Sequence, residues 1–228
     1  MLIQMTDKNQ AHLLAGKPYL VMMDMDSTLI QNEVIDDLAA AIGAGEEVKA
    51  ITNLAMAGEI DFAESLKRRV KLLSGADIEI IERVKRGIHL TPGAGELIER
   101  FRELGFKTCV VSGGFEVVIK EIVEKLGIDE YRANNLEITN NKLTGNLLGT
   151  ILDANGKKEA LLQMAKHFSI PLSQTIAIGD GANDIPMIET AAIGVAFNGK
   201  NALAMKADVI VNDQSLVGVL KALGISNP

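Results

Sequence analysis

Cysteine occurs once in the 228 residues, as Cys109 inside the apolar run "TCVVSGG". With no second thiol a disulfide framework is excluded, and a buried, inert thiol is expected there. No run of about 20 apolar residues occurs, and the start, "MLIQMTDKNQAHLLAGK", lacks a continuous apolar stretch of signal-peptide type. A membrane span and export are therefore not expected; a soluble, cytoplasmic protein is. Pro- or Ser-rich tracts, long blocks of one charge sign and internal repeats are missing too, which argues against extended disorder and repeat architectures. Histidine is scarce, and His12, His89 and His167 match no metal-ligand spacing. A formal net charge of −7 argues against nonspecific grip on nucleic acid or on an acidic membrane, so the expected partner is a small molecule.

What the chain does have is a recurring pattern. Short apolar runs end in polar or glycine-rich turns at Tyr19–Asp24, Lys107–Gly114, Thr175–Gly181, Ile193–Asn198 and Asp208–Asp213, with helix-period segments between them. This alternation predicts an α/β fold with a parallel sheet flanked by helices. In such sheets ligands bind beyond the carboxyl ends of the strands. The polar ends of the first three runs are therefore expected to meet at one sheet edge. Between Glu33 and about His89 only helix-period pieces occur, which predicts a helical subdomain over 34–88, inserted after the first strand and able to act as a cap. The stretch Asn134–Gly149 alternates around Asn140-Asn141, a pair that suits a turn with positive φ, and is expected to form a two-stranded hairpin appendage. The expected organisation is an N-terminal extension over 1–16, a core over 17–33 and 89–228, and the insert between.

The residues that carry chemistry sit at the strand ends. In "MMDMDSTLIQNE", Asp24 and Asp26 on a strand would share one face, about 6.6 Å apart along the backbone. A turn or helix-cap cluster accounts for them equally well when they are taken alone. The stretch "IGDGANDIPMI" adds Asp180 between two glycines and Asp184 four residues on. If these ends adjoin, four carboxylates share one pocket, and an all-oxygen, highly charged set selects Mg²⁺ over zinc or calcium. Ser112-Gly113-Gly114 would offer backbone N–H groups and a hydroxyl to an anion, or form an ordinary strand-to-helix turn. Lys157 supplies a positive charge at a helix start, and Lys158 is an equal candidate on physical grounds. Metal, phosphate cradle, lysine and paired carboxylates make a phosphoryl-transfer site. One aspartate can attack phosphorus while the other gives and takes the proton.

"DMDST", Ser112, Lys157 and "GDGAND" together resemble the four motifs of the haloacid dehalogenase superfamily of phosphotransferases, in order and on the expected elements. Beyond these, "DSTLIQNE", "DFAESLKRRVKLL", "TPGAGELI", "VVSGGF" and "ANNLEI…KLTG" resemble the phosphoserine phosphatases within it, over roughly Pro18 to Val219. The resemblance implies a Rossmann-like core, with the helical insert as a cap. It implies hydrolysis of O-phospho-L-serine, the last step of serine biosynthesis, through an aspartyl-phosphate. Asp24 would be the nucleophile and Asp26 the general acid/base. Mg²⁺ would be held by the Asp24 side chain, the Asp26 backbone carbonyl and Asp180, with Asp184 in support. Ser112, Gly113 and Lys157 would bind phosphate, and Asn183 would line the site. The alternatives are another small phosphomonoester, transfer to an alcohol instead of water, or a module that only binds phosphate or metal. The expected assembly is a monomer or homodimer.

Substrate choice would rest on the insert. By resemblance, Glu33 meets the serine amino group and Arg69 its carboxylate, while Met56 and Phe62 shape the pocket. From the residues alone, Glu33 reads equally as an acid in a helix's first turn, and Met56 and Phe62 as ordinary helix packing. Arg69 has independent support. Phe62, Leu66, Arg69 and Leu73 fall on one apolar helix stripe, while Lys67, Arg68 and Lys71 lie largely off it. A charge on a buried face needs a partner, unless it snorkels at the edge. Met25 stands where relatives usually have phenylalanine, an apolar swap that should leave the carboxylates alone. The N-terminal segment is too short for the amino-acid-binding regulatory domain of some relatives, so feedback control by that route is not expected.

Overall fold

The computed structural model describes residues 3–5 and 17–225, so most of the expected extension over 1–16, His12 included, lies outside the described residues. In chain order the strands are β1 (Ile3–Met5), β2 (Leu20–Met23), β3 (Lys107–Phe115), β4 (Glu130–Thr139), β5 (Lys142–Leu148), β6 (Thr175–Gly179), β7 (Ile193–Phe197) and β8 (Val209–Val211). They form one sheet ordered β1-β8-β7-β6-β2-β3-β4-β5. The ladders from β8 to β4 are parallel, and β1 and β5 add antiparallel edges. This is the expected mostly parallel α/β sheet.

Strand β2 is central because it is apolar on both faces, as a doubly covered parallel strand must be. Alternate residues feed two cores. Val21 and Met23 pack with Leu97 and Phe101 of α5 (Ala94–Glu103) and Val118 and Ile119 of α6 (Glu116–Leu126). Leu20 and Met22 pack with Leu161 and Met164 of α7 (Ala154–His167) and Met187 and Ile188 of α8 (Ile185–Thr190). Cys109 is fully buried, and burial pushes its thiol up to about 12, which makes it inert as expected. No helix among the described residues is long and apolar enough to cross a membrane.

The stretch after β2 is helical, with α1 (Val34–Ala41), α2 (Gly45–Met56), α3 (Phe62–Leu72) and α4 (Glu79–Arg86). Helix α3 starts where Asp61 caps it, its side chain accepting from Glu64 N at 2.7 Å. It buries Ser65, Leu66 and Val70 and leaves Lys67, Arg68 and Lys71 exposed.

The hairpin differs from the expected appendage. Asn140 and Asn141 do take φ of 50° and 59° at its turn. Strand β4, however, begins four residues earlier than the alternating stretch, and Glu130 to Arg132 pair in parallel with Cys109 to Val111. The hairpin is therefore the edge of the main sheet. Its far side grips the insert through Gly75 N to Leu143 O at 2.8 Å, Leu143 N to Ala76 O at 2.9 Å and Ile78 N to Asn141 O at 2.9 Å. Edge strands present unpaired backbone groups, and here the α3–α4 connection satisfies those of Leu143 and the Asn141 carbonyl.

Candidate functional site

Strand β2 lies between β3 and β6 in register, Leu20 facing both Lys107 and Thr175, so the three carboxyl ends finish together. This is the switch point of the sheet, where successive connections leave to opposite sides. Asp24 still belongs to the ladder, its N–H donating to Ile178 O at 2.9 Å. Asp26 does not. The chain turns sharply, with Ser27 at φ 56° and Ile30 N returning to Met25 O at 3.0 Å. The shared strand face expected for Asp24 and Asp26 is thus replaced by a tight loop, which delivers both carboxylates to one cavity by another route. Asp26 Oδ2 accepts from Val34 N at 3.1 Å, at the start of α1, and Oδ1 is buried without a partner.

Beneath them Lys157 is wholly buried in the first turn of α7. Its Nζ meets Asp24 Oδ1 and Asp184 Oδ1, each at 2.7 Å. The backbone thus separates two lysines that the sequence left equivalent: Lys157 points inward, and Lys158 is half-exposed. Asp184 Oδ2 accepts from Asp180 N at 3.2 Å and Gly181 N at 3.0 Å, which sets the turn that carries Asp180. A Cβ on Gly179 would lie 2.5 Å from the Asp184 carboxylate, so glycine is required there. Carboxylate oxygens of Asp24, Asp180 and Asp184 lie within 4.8 Å of one another, an arrangement able to hold a metal ion.

The electrostatics of this cluster follow from burial. Desolvation, then repulsion by Asp184, raises Asp24 well above the usual carboxylate range despite the Lys157 ammonium. Desolvation and Glu33 raise Asp26 to about 7, and desolvation and Asp184 raise Asp180 to about 6. Burial alone would lower Lys157; the Asp184 and Asp24 carboxylates outweigh it, and the ammonium stays charged. Without a further cation, the folded chain holds protons on Asp26 and Asp180 that an unfolded chain releases near pH 4. Folding is then favoured below that pH, and the advantage is lost as pH rises through about 6 and 7. In chelator, the melting temperature should therefore fall by several degrees between about pH 5 and 8. A divalent cation should restore it, and Asp26→Asn should flatten the slope. A chelated wild type with a flat profile over that range would contradict the account.

The other candidates surround a cavity of about 570 Å³ bordered by Asp24, Asp26, Glu33, Met56, Phe62, Arg69, Gly113, Asp180 and Asn183. Ser112 and Lys157 lie behind its wall. Ser112 Oγ accepts from Gly114 N at 2.9 Å, bending the glycine turn. Phe62 approaches that turn so closely that a Cβ on Gly113 would sit 3.1 Å from its ring. Met56, for which helix packing was the plain expectation, is 74% exposed at the end of α2. Glu33 makes no side-chain cap to α1; its carboxylate accepts instead from Ser27 Oγ at 2.7 Å. Arg69 is half-buried, its Nε donating to Ser65 O at 3.4 Å, with no ion pair among the described residues. Burial pushes its guanidinium down against the pull of Asp36, Glu33 and Asp26.

Sequence reasoning missed two contributors. Asn134, read only as part of a hairpin, is buried and clamps the glycine turn: Nδ2 donates to Gly113 O at 2.9 Å and Oδ1 accepts from Leu152 N at 2.8 Å. Lys200 borders the cavity, and its N–H donates to Asp180 O at 2.9 Å. The available signal was position, since Lys200 follows the carboxyl end of β7, a fourth strand of the same parallel set.

Comparison with known proteins agrees with this geometry. The model of the haloacid dehalogenase-like hydrolase family matches residues 21–189. The chain is 46% identical over 204 residues to a phosphoserine phosphatase of Idiomarina loihiensis, covering 90% of this chain and 93% of that one. It is 46% identical over 207 residues to a phosphoserine phosphatase of Mycobacterium tuberculosis, covering 91% of this chain and 51% of the relative, so it spans about half of that protein's length. A solved structure described as a phospho-aspartyl intermediate analogue of phosphoserine phosphatase superposes with a TM-score of 0.86 at 43% identity, covering 92% of this chain and all of that one. Core, motif order and strand-end carboxylates thus converge, and the chain belongs to the haloacid dehalogenase-like hydrolases.

Proposed function

We propose that this protein is a Mg²⁺-dependent phosphatase that hydrolyses O-phospho-L-serine to L-serine and phosphate. The observation that carries the reading is the pairing of two carboxylates, Asp24 buried and Asp26 partly buried, that border one cavity with Arg69 and Glu33. Both bonds that Asp24 accepts fall on Oδ1, which leaves Oδ2 for attack on phosphorus. That attack forms the aspartyl-phosphate as the ester P–O bond breaks, and Asp26, protonated near neutral pH, gives its proton to the departing serine oxygen. Asp26 then takes a proton from water as the hydroxide attacks phosphorus, the P–O bond to Asp24 breaks, and phosphate leaves. Lys157 spends two of its three N–H donors on Asp24 and Asp184, and the third is free for a phosphoryl oxygen. The glycine turn brings Gly113 to the same cavity, where its backbone N–H would be a further donor, while the Gly114 N–H is spent on Ser112 Oγ.

The donor set fits Mg²⁺: three carboxylates within 4.8 Å, whose mutual repulsion calls for a hard cation. Asp24, Asp180 and the Asp26 carbonyl would hold it, with Asp184 behind, and it would draw charge from the transferring phosphoryl group. Helices α2 and α3 of the 34–88 insert act in this reading as the cap. Glu33, held by Ser27, takes the ammonium of the substrate; Arg69 takes the carboxylate; Met56 and Phe62 close over the carbon chain. The reading includes a cytoplasmic location and a monomer or homodimer.

The deciding experiment compares kcat/KM for phosphoserine, phosphothreonine, phosphoethanolamine and a sugar phosphate, with and without Mg²⁺. Phosphoserine should be preferred and Mg²⁺ required. Preference for another ester would move the substrate while leaving the chemistry. Arg69→Ala should lower kcat/KM for phosphoserine by about 100-fold, the worth of a charge-assisted pair, and that for phosphoethanolamine far less. Equal losses on both would remove the carboxylate clamp.

A further inference from the structure

Ser65 lies on α3 one helical turn before Arg69 and borders the same cavity. The residue is 1% exposed, and its Oγ is buried with no hydrogen-bond partner. A helical serine commonly returns its hydroxyl to the carbonyl one turn back. Here the Asp61 carbonyl takes the Ser65 N–H at 3.0 Å, and the hydroxyl bonds nothing. Thr52, across the cavity on α2, is already committed to Val48 O at 3.0 Å. Folded proteins rarely leave a buried hydroxyl unsatisfied, and such groups mark places where a partner arrives later.

Arg69 tells what that partner is. Side chains at i and i+4 meet on one helix face, and Arg69 Nε reaches back to the Ser65 carbonyl at 3.4 Å. Two donors therefore lie on one helix face in the wall: a guanidinium with no ion pair among the described residues and a hydroxyl without a bond. A carboxylate fits this pair, since its two oxygens offer about four lone-pair sites, enough for a guanidinium fork and one further donor. We propose that Ser65 is a specificity-determining residue whose hydroxyl donates to the substrate carboxylate gripped by Arg69. This deepens the proposed phosphoserine reading and rests on it.

The test is Ser65→Ala. Alanine is the better helix former and removes an unsatisfied polar atom, so the variant should melt at or above the wild-type temperature. With phosphoserine, KM should rise about tenfold or more, the worth of one hydrogen bond to a charged group, while kcat changes by less than about twofold. With phosphoethanolamine, which lacks the carboxylate, kcat/KM should stay at the wild-type value. An unchanged KM for phosphoserine, or the same loss on both substrates, would overturn the proposal while the wild-type preference for phosphoserine stood. A wild type that uses phosphoethanolamine as well as phosphoserine would overturn the substrate reading and this inference together. A drop in melting temperature with kcat and KM falling alike would give Ser65 a purely structural role.

Discussion

Asp24→Asn is expected to abolish turnover, with kcat reduced by at least about 10⁴-fold, in a protein that still folds. The asparagine keeps the shape of the side chain and an oxygen able to accept from Met25 N and the Lys157 ammonium. What it removes is the attacking carboxylate oxygen and a buried negative charge that burial and Asp184 already disfavour. Stability should therefore change by no more than about 1 kcal/mol, readable as a shift of a few degrees in a thermal melt. Acid-quenching with ³²P-labelled phosphoserine should trap one phosphoryl group per chain on the wild type and none on the variant. A folded variant that retains turnover would exclude the covalent step, and label trapped on it would place the nucleophile elsewhere.

Lys157→Met is expected to carry the largest stability cost. The ammonium is 1% exposed and lies between Asp24 and Asp184, themselves almost wholly buried. Taking out one partner leaves an uncompensated buried charge, which costs about 3–5 kcal/mol, or about 10 °C in melting temperature for a chain of this size. Because the three groups act as a unit, the losses should not add. Adding Asp184→Asn to Lys157→Met should recover part of the loss, since the second substitution removes a charge that the first left unpaired. Thermal melts of the two single variants and the double variant close the cycle. Strict additivity would mean that the lysine is not the counter-charge of the cluster. Phosphatase activity should be lost in both Lys157 variants.

Much of this was legible in the sequence because the signals were strong and local. Apolar runs ending in polar turns located β2, β3, β6, β7 and β8, since parallel strands covered on both faces must be apolar along their length. Helical periodicity located α1 to α4 and placed Arg69 on the inner stripe with Lys67, Arg68 and Lys71 outside. The hairpin was found and its attachment was not. The residues that join β4 to β3, "EYRA", alternate over only four positions, with Tyr131 and Ala133 against the core, and so short a pattern does not reveal a long-range pairing. Between helix packing and a place in the pocket wall, periodicity left Met56 open, because it says which residues share a helix face but not whether the facing space is filled; the residue is exposed and borders the cavity.

By itself the sequence determined the fold class, the position of the helical insert and the three polar strand ends with the lysine pair at a helix start, since each depends on residue type and spacing over a few turns. The tertiary structure decided how those clusters act on one another. It turned Asp26 off the strand through the left-handed Ser27, chose Lys157 over Lys158 by aiming it between two carboxylates, and brought Asn134 of β4 and Lys200, just beyond β7, to the site. It also left Arg69 without an ion pair among the described residues and the Ser65 hydroxyl without a partner, both bordering one cavity. Hydrogen bonds and charge pairs depend on angles and on distances of a few ångströms between segments far apart in the chain, such as Asp24 and Lys157, and no short-range pattern records them.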